Sequence, residues 1–262
     1  MNLFKELYQN RVTIINLALN DFKNKYAGSF FGASWAFVQP MMTILIYWFV
    51  FQVGFRTTPV ENVPFIIWFI CGIIPWFYFS EAVMGGTTSV VEYTYIVKKV
   101  MFNINILPVI KILVSTFIHI FFVVLLFCIC IFVKLPLSIH SFQIVYYSIC
   151  IFVLALGFSY LTAALVPFLK DIGQMVSIVL QFGFWLTPIV WNQTILSSNW
   201  IFIFKLNPAY YIVQGYRDSL INDVWFWERP LNTLYFWILT FVIMILGRLL
   251  FKKLKPHFAD VL

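Results

Sequence analysis

Hydrophobic residues in this chain occur in long stretches separated by short polar segments. Six stretches contain no Asp, Glu, Lys or Arg, and they cover residues 26–55, 62–80, 112–133, 135–169, 172–204 and 230–247. Each is close to or longer than the roughly 18–20 residues that cross a bilayer as a helix. The stretches are apolar on every face, which argues against a transmembrane barrel of alternating polar and apolar positions. The pattern therefore predicts an all-α membrane protein with six spans, at about 34–55, 63–83, 109–133, 142–168, 174–192 and 232–251.

The residues before the first predicted span have an amphipathic pattern instead. Over residues 3–27, apolar side chains recur every three or four positions, at Phe4, Tyr8, Val12, Ile15, Leu19, Phe22 and Tyr26. This spacing predicts a helix that lies along the inner membrane interface. The alternative is a helix packed into a small cytoplasmic domain, but 33 residues are too few for an independent core. We expect a single transmembrane domain over residues 1–262, with an interfacial helix within 1–33, a bundle over 34–251 and a tail at 252–262.

The segment between predicted spans five and six has an unusual composition for an outer loop. It is about 39 residues long, rich in Trp, Phe and Tyr, and poor in charge. Non-helical backbone is tolerated at membrane depth only where protein buries it or where it lines a cavity. We therefore predict re-entrant helices between spans five and six, with corners at Pro188, Pro208 and Pro230.

Composition and charge agree with a membrane protein and predict its orientation. The chain is 62% hydrophobic and 10% charged, with a mean hydropathy of +0.92, which is far from the usage of soluble domains. If both termini are cytoplasmic, only five of the 17 Lys and Arg residues face outward, namely Arg56, Lys134, Lys205, Arg217 and Arg229. The positive-inside rule therefore predicts cytoplasmic termini. The net charge of +7 follows from this orientation and from contact with membrane lipid, and we expect no nucleic-acid partner.

The chain lacks the motifs of several catalytic classes. No GxxxxGK[ST] sequence is present, so we expect ATP and Mg to be bound by a partner subunit rather than by this chain. No HExxH or GxSxG motif occurs, and the four cysteines have no metal-ligand spacing, so we expect no catalytic residue and no metal site. The centres of the predicted spans carry no charge, which argues against an ion-coupled transporter. A passive membrane protein and a permease driven by a soluble motor remain, and the cytoplasmic docking surfaces favour the permease.

Several short motifs occur in an order that is typical of one transporter family. They are NKYAGSFFGASWAFVQP at 24–40, GIIPWFYFSEA at 72–82, LVPFLKDIGQ at 165–174, GFWLTPIVW at 183–191, NPAYYIVQGYRDSL at 207–220 and FADVL at 258–262. The chain resembles the ABC-2 permeases that export polysaccharides, and specifically the transmembrane subunits of O-antigen and wall teichoic acid exporters. The segments YWFVF, VPFIIWF and FADVL favour the teichoic acid branch.

This resemblance implies an assembly and a substrate. The expected assembly is a homodimer of this chain with two copies of a P-loop ATPase, in the bacterial cytoplasmic (inner) membrane. The resemblance also implies a coupling helix between spans two and three and a gate formed by the re-entrant outer segment. The expected substrate is a polymer linked through diphosphate to undecaprenol. The alternatives are an ABC-2 permease for a small drug, haem or lipid, and a membrane-embedded enzyme that acts on lipid-linked sugars.

Candidate functional residues fall into three groups. For contact with the ATPase we select two cytoplasmic segments, with Glu92, Lys98 and Lys99 in residues 85–108 and Lys170 and Asp171 in the next inner turn. For the translocation path we select aromatic residues whose flat apolar faces suit a sliding sugar chain, namely Trp35, Tyr47, Phe51, Phe184 and Trp185. For a phosphate contact at the outer gate we select Arg56, Arg217 and Asp218. Helix packing, headgroup anchoring and a local ion pair are the alternative roles for these residues.

Overall fold

The computed structural model describes residues 3–56, 63–99, 102–193 and 198–262, and regular secondary structure in these ranges is helical. The helices are α1 Leu3–Gln9, α2 Arg11–Lys25, α3 Trp35–Trp48, α4 Phe65–Glu92, α5 Thr94–Lys99, α6 Leu107–Phe132, α7 Gln143–Leu165, α8 Asp171–Leu186, α9 Ser198–Lys205, α10 Pro208–Arg217, α11 Pro230–Leu254 and α12 Phe258–Val261. The predicted all-helical fold class is confirmed.

Five helical segments in the described residues are long and apolar enough to cross a membrane. They are Gly32–Gly54, Phe65–Glu92, Ile104–Phe132, Ile139–Leu165 and Pro230–Val261. The predicted fifth span corresponds to α8, which has 16 residues and is therefore about 24 Å long. This length is less than the hydrocarbon core of about 30 Å. The count of six spans therefore stays a prediction.

Three helices differ in detail from the sequence-based prediction. The N-terminal helix is broken at Asn10 into α1 and α2. The first span changes at Phe49 into a π-helical turn that ends at Gly54. The helix of the second span continues past residue 83 to Glu92. Residues 85–92 therefore belong to α4, and the separate surface helix predicted within residues 85–108 is reduced to α5.

Helix α4 lies at the centre of the fold. Nineteen of its 28 residues are buried, and it packs against α6, α7, α8 and α10. Helix α11 packs on the far side of α7, and its buried residues Phe236, Thr240, Gly247 and Phe251 form a stripe toward that helix. Because a helix that is apolar all round is suited to a core position or to lipid, the sequence of α4 fits this central place.

The peripheral helices leave large apolar side chains exposed. Examples are Met42 and Ile46 on α3, Val179 and Phe182 on α8, and Phe241 on α11. Exposed apolar surface of this extent indicates contact with lipid or with another protein. Helix α3 is the most weakly attached of these, because it makes few contacts with the bundle and makes them mainly with α4.

The two regions outside the long helices are anchored differently. Helix α2 packs against α6 and buries only Ile14 and Ala18, so that the predicted apolar face, including Val12 and Ile15, stays exposed. This exposure fits a helix that meets the membrane interface. Helix α10, in contrast, is buried along nine of its ten residues among α4, α7 and α11. Whether α9 and α10 re-enter the membrane remains a prediction.

Candidate functional site

A cluster of charged side chains joins α2, α4 and α6 at the cytoplasmic ends predicted from the sequence. The ammonium nitrogen of Lys111 lies 2.7 Å from Asp21 Oδ2 and 2.6 Å from Glu92 Oε2. The Tyr93 hydroxyl donates a hydrogen bond of 2.6 Å to Asp21 Oδ1, and Thr88 donates one to Glu92. Glu92, selected for contact with the ATPase, is the last residue of α4. Through Lys111 it connects the end of α4, next to α5, with Asp21 of α2.

A second ion pair lies about one turn further along α2. Lys25, at the end of α2, pairs with Glu81 in the middle of α4, and both side chains are 44% exposed. Burial opposes the charged form of Lys25, but the charge of Glu81 and its hydrogen bond outweigh this effect and raise the pKa of Lys25. Lys25 therefore stays protonated at neutral pH, and the pair fixes the end of α2 beside α4.

The two predicted ATPase-facing segments are brought together by the C-terminal residues. Helix α12 lies against α5, and the ring of its fully buried Phe258 lies 6.1 Å from the ring of Phe168. Phe168 precedes Lys170 and Asp171, which are exposed. We call α5, residues 168–171 and α12 the cytoplasmic platform, after the side of the membrane that the distribution of Lys and Arg predicts for them.

The lysines of α5 are at the edge of this platform. Lys98 is exposed, as contact with a partner requires. Lys99 ends the helix, and its side chain lies outside the described part of the structure. The grouping of α5 with the second turn thus supports the choice of both segments, while their role in coupling stays a prediction.

Four of the five aromatic residues selected for the path form one cluster between α3 and α8. The ring of Tyr47 lies 6.3 Å from that of Phe51 and 5.7 Å from that of Phe184. The ring of Phe184 is in turn 5.3 Å from Trp185, which is 53% exposed. Trp35 is apart from the cluster, at the opposite end of α3.

Arg217 is held inside the protein rather than at an open outer surface. It is 2% exposed, and its guanidinium carbon lies 3.5 Å from the centre of the Trp68 ring. Its nitrogens donate long hydrogen bonds to the carbonyl oxygens of Trp68, at 3.4 Å, and Ile189, at 3.3 Å. Gly72 leaves the space for it, because a Cβ there would lie 2.9 Å from Nη2. Arg217 therefore joins α10 to α4 and to the end of α8.

Asp218 and Arg56 are in different surroundings. Asp218 Oδ2 lies 2.9 Å from Arg229 Nη1, and Asp218 Oδ1 accepts hydrogen bonds from Gln214 and Asn222. Burial raises the pKa of this carboxyl, although Asn222 and Arg229 oppose the effect. Arg56 is exposed and adopts a positive φ of 51° where the first span ends. Of the three residues selected for phosphate, only Arg56 is thus open to solvent.

Comparison with known proteins places this architecture in a family. The sequence profile described as ABC-2 type transporter matches residues 14–221, which run from the first turn of α2 past the end of α10. The chain belongs to the ABC-2 type transporter family. The match contains the charged cluster, the aromatic cluster and Arg217, whereas α11 and α12 lie beyond it. This ABC-2 protein therefore has its candidate residues within the family region, except for the tail that completes the cytoplasmic platform.

Three relatives resemble the chain along its whole length. Two O-antigen export system permease proteins RfbA from Klebsiella pneumoniae are 26% and 24% identical to it, over 98% of this chain and 96% of each relative. The protein of the same name from Myxococcus xanthus is 26% identical over 99% of both chains. The similarity therefore covers nearly the full length of each relative rather than a short shared segment.

Sequence reasoning missed the partners that fix these residues. Asp21 and Lys111 were not selected, although they bind each other across 90 positions of the chain, and Trp68 was one of many aromatic residues in a long apolar stretch. An isolated acidic residue in the otherwise basic α2 was the signal available for Asp21. No local pattern indicates which aromatic ring will pack on an arginine.

Proposed function

We propose that this chain is the transmembrane permease subunit of an ATP-driven ABC transporter that exports a polysaccharide. The observation that carries this proposal is the similarity to three O-antigen export permeases over nearly the full length of both proteins. Uncharged stretches long enough to cross the membrane and a sequence without a P-loop motif fit a subunit that receives its driving force from a separate ATPase, where ATP and Mg are bound.

The exported molecule is a long glycan or polyol-phosphate chain attached to undecaprenyl diphosphate. Its polymer belongs to the O-antigen or the wall teichoic acid class. The cluster of Tyr47, Phe51, Phe184 and Trp185 supports this proposal because aromatic faces contact sugar rings without strong preference for one register. A polymer that must slide requires such weak and repeated contacts.

The transporter contains two copies of this chain and two ATPase subunits in the bacterial cytoplasmic membrane. The copies meet along α3 and α8, whose apolar side chains are exposed in the single chain. Helix α8 and residues 187–193 together form the fifth of six crossings, and α9 and α10 return toward the membrane as the outer gate. Both termini are cytoplasmic, as the distribution of Lys and Arg favours.

ATP binding drives transport by changing the contact between the ATPase and the cytoplasmic platform. A partner can shift an equilibrium between two states only if it contacts them differently. Movement of α5 reaches the interfacial helix α2 through Glu92, Lys111 and Asp21. The same cluster therefore offers a route from the ATPase to the helices that enclose the path.

Reversing the charges of Lys98 and Lys99 to Glu tests this route. We expect substrate-stimulated ATP hydrolysis to fall about five-fold or more, which is the lower end of typical coupling between sites, while membrane insertion stays normal. The matched control is the reversal of Lys252 and Lys253 to Glu, which changes the same charge on a second pair of consecutive lysines, both of which are exposed. Equal stimulation in the two variants would contradict the role of α5.

The substrate is tested by purifying the chain with its ATPase and measuring hydrolysis in nanodiscs. We expect undecaprenyl-diphosphate-linked polysaccharide to stimulate hydrolysis several-fold over the carrier lipid alone. Stimulation by a small drug, haem or free lipid, without any response to the polymer, would favour the small-molecule permease. Turnover of a lipid-linked sugar by this chain without ATP would instead show the membrane-embedded enzyme.

A further inference from the structure

A cleft runs along α3, between this helix and the pair formed by α4 and α6. Its inner half has a volume of about 230 Å³, and its outer half one of about 340 Å³. Ile74 of α4 lines both halves, and α3, α4 and α6 each contribute residues to both, so the two cavities follow one another along the same three helices. The weak attachment of α3 to the rest of the chain is the structural reason for this gap.

The two halves of the cleft differ in chemistry. The inner half is lined by polar side chains that include Lys25, Gln39, Thr43 and Glu81. The outer half is lined only by apolar side chains, which are Met41, Ile44, Leu45, Trp48, Ile66, Ile70, Ile74, Leu125 and Ile129. A ligand that matches this cleft must therefore be polar at one end and apolar at the other.

The depth of the polar end matches the membrane interface. Glu81 follows Phe65, the first residue of α4, by 16 positions, which corresponds to about 24 Å along the helix. The hydrocarbon core is about 30 Å thick, so Glu81 and Lys25 lie near the headgroups of one leaflet when Phe65 is near the opposite boundary. The apolar half then lies at the depth of the acyl chains.

The volume of the cleft excludes a further helix but admits a lipid chain. A helix about 10 Å wide that crosses about 30 Å of membrane occupies roughly 2,300 Å³. Each half of the cleft is several times smaller than this. A flexible hydrocarbon chain is much narrower than a helix, and its burial in the apolar half is favourable.

One polar atom in the wall of the inner half lacks a partner in the described residues. His119 is 3% exposed and lines this half. Its Nε2 is within hydrogen-bond distance of Ser148 and Tyr216, whereas its Nδ1 has no hydrogen-bond partner. Buried polar groups are nearly always satisfied, so this nitrogen is an exception in the wall of the inner half.

We propose that the cleft between α3, α4 and α6 binds one phospholipid with a phosphate and a primary ammonium in its head, as in phosphatidylethanolamine. The phosphate binds Lys25, the ammonium binds Glu81, and an acyl chain fills the groove beside Leu45. An anionic lipid would also bring a phosphate to Lys25, but its head would carry no positive group to pair with Glu81. This site lies within one chain, away from the aromatic cluster, and does not depend on which polymer is exported.

The polar end is tested on the delipidated complex of this chain with its ATPase, by native mass spectrometry. Phosphatidylethanolamine and phosphatidylglycerol with identical acyl chains are the probes. We expect preferential retention of phosphatidylethanolamine, and Lys25→Met and Glu81→Gln should each reduce it about five-fold or more, since each removes a charge-assisted hydrogen bond. Lys23→Met is the matched control, because Lys23 is exposed in the same last turn of α2.

The apolar end is tested independently with tryptophan substitutions on α3. Leu45→Trp fills the groove and should lower retention of phosphatidylethanolamine about five-fold, which corresponds to roughly 1 kcal/mol. Ile46→Trp is the control, because Ile46 is equally exposed but does not line the groove. Equal retention by these two variants, equal retention of the two lipids, or no retained lipid would each overturn the proposal. If a substitution at one end of the cleft prevents folding, the variants at the other end still test the proposal.

Discussion

Replacing Arg217 with alanine is expected to lower the free energy of unfolding by about 3 kcal/mol, because it removes a desolvated cation–π contact and two charge-assisted hydrogen bonds. The guanidinium lies 3.5 Å from the Trp68 ring and also binds the backbone at Ile189. Loss of the Arg217 side chain leaves the space beside Gly72 unfilled and removes the contact that Arg217 makes between α10 and α4. Unfolding of the purified protein in mixed detergent micelles measures this effect.

Two further variants separate the shape of Arg217 from its charge and from a surface effect. Arg217→Lys keeps the charge but cannot stack as a planar group, so we expect it to recover less than half of the loss. Arg56→Ala removes an exposed arginine and should leave unfolding unchanged. If Arg56→Ala nevertheless reduces export, the phosphate role at the outer gate is supported at that residue. An unfolding curve of Arg217→Ala that matched the wild type would contradict the structural role of Arg217.

Replacing Gly247 with alanine is expected to separate α7 from α11 and to destabilise the fold by about 3 kcal/mol, at the upper end of typical overpacking effects. A Cβ at this position would lie 2.6 Å from the carbonyl oxygen of Gly157 and 2.9 Å from the backbone nitrogen of Leu161. Backbone atoms cannot rotate away, so the two helices must move apart. Small residues at such crossings are typical of membrane helices.

Gly173→Ala is the matched control for this substitution. Gly173 is also in a helix, α8, but a Cβ there would have no atom within 4 Å. Alanine should therefore be neutral at Gly173, or stabilising by up to about 1 kcal/mol through its higher helix propensity. Unfolding midpoints of both variants, recorded in the same detergent, give the comparison. Similar losses at the two positions would show that the close approach of α7 and α11 is not the cause.

The apolar stretches predicted the fold class and most of the membrane helices, because a spanning helix needs only length and hydrophobicity. They failed at the boundaries. Helix α4 continues past residue 83, since Gly86 lies against Ser159 and the hydroxyl of Thr87 bonds within the helix and to Thr162. These contacts come from α7, about 75 residues later in the chain, and no local sequence pattern predicts them.

The structure brings some of the candidate residues together and separates others for the same reason. Aromatic residues near the ends of α3 and α8 met in one cluster, whereas Trp35 lay at the other end of its helix. Arg217 and Asp218 are adjacent in sequence, yet one packs on Trp68 and the other pairs with Arg229. Adjacent helical positions do not face each other, so neighbouring charges need not share a partner.

The sequence by itself determined that the chain is a helical membrane protein, and its ordered motifs determined the family resemblance. Both depend on features that are local in the chain, namely hydrophobic length and short runs of residues. Only the tertiary structure decided that Lys111 joins Asp21 to Glu92, that Arg217 is buried, and that a cleft polar at one end separates α3 from its neighbours. These features depend on which faces of distant helices meet, and helices that are apolar on every side carry little sequence information about their packing.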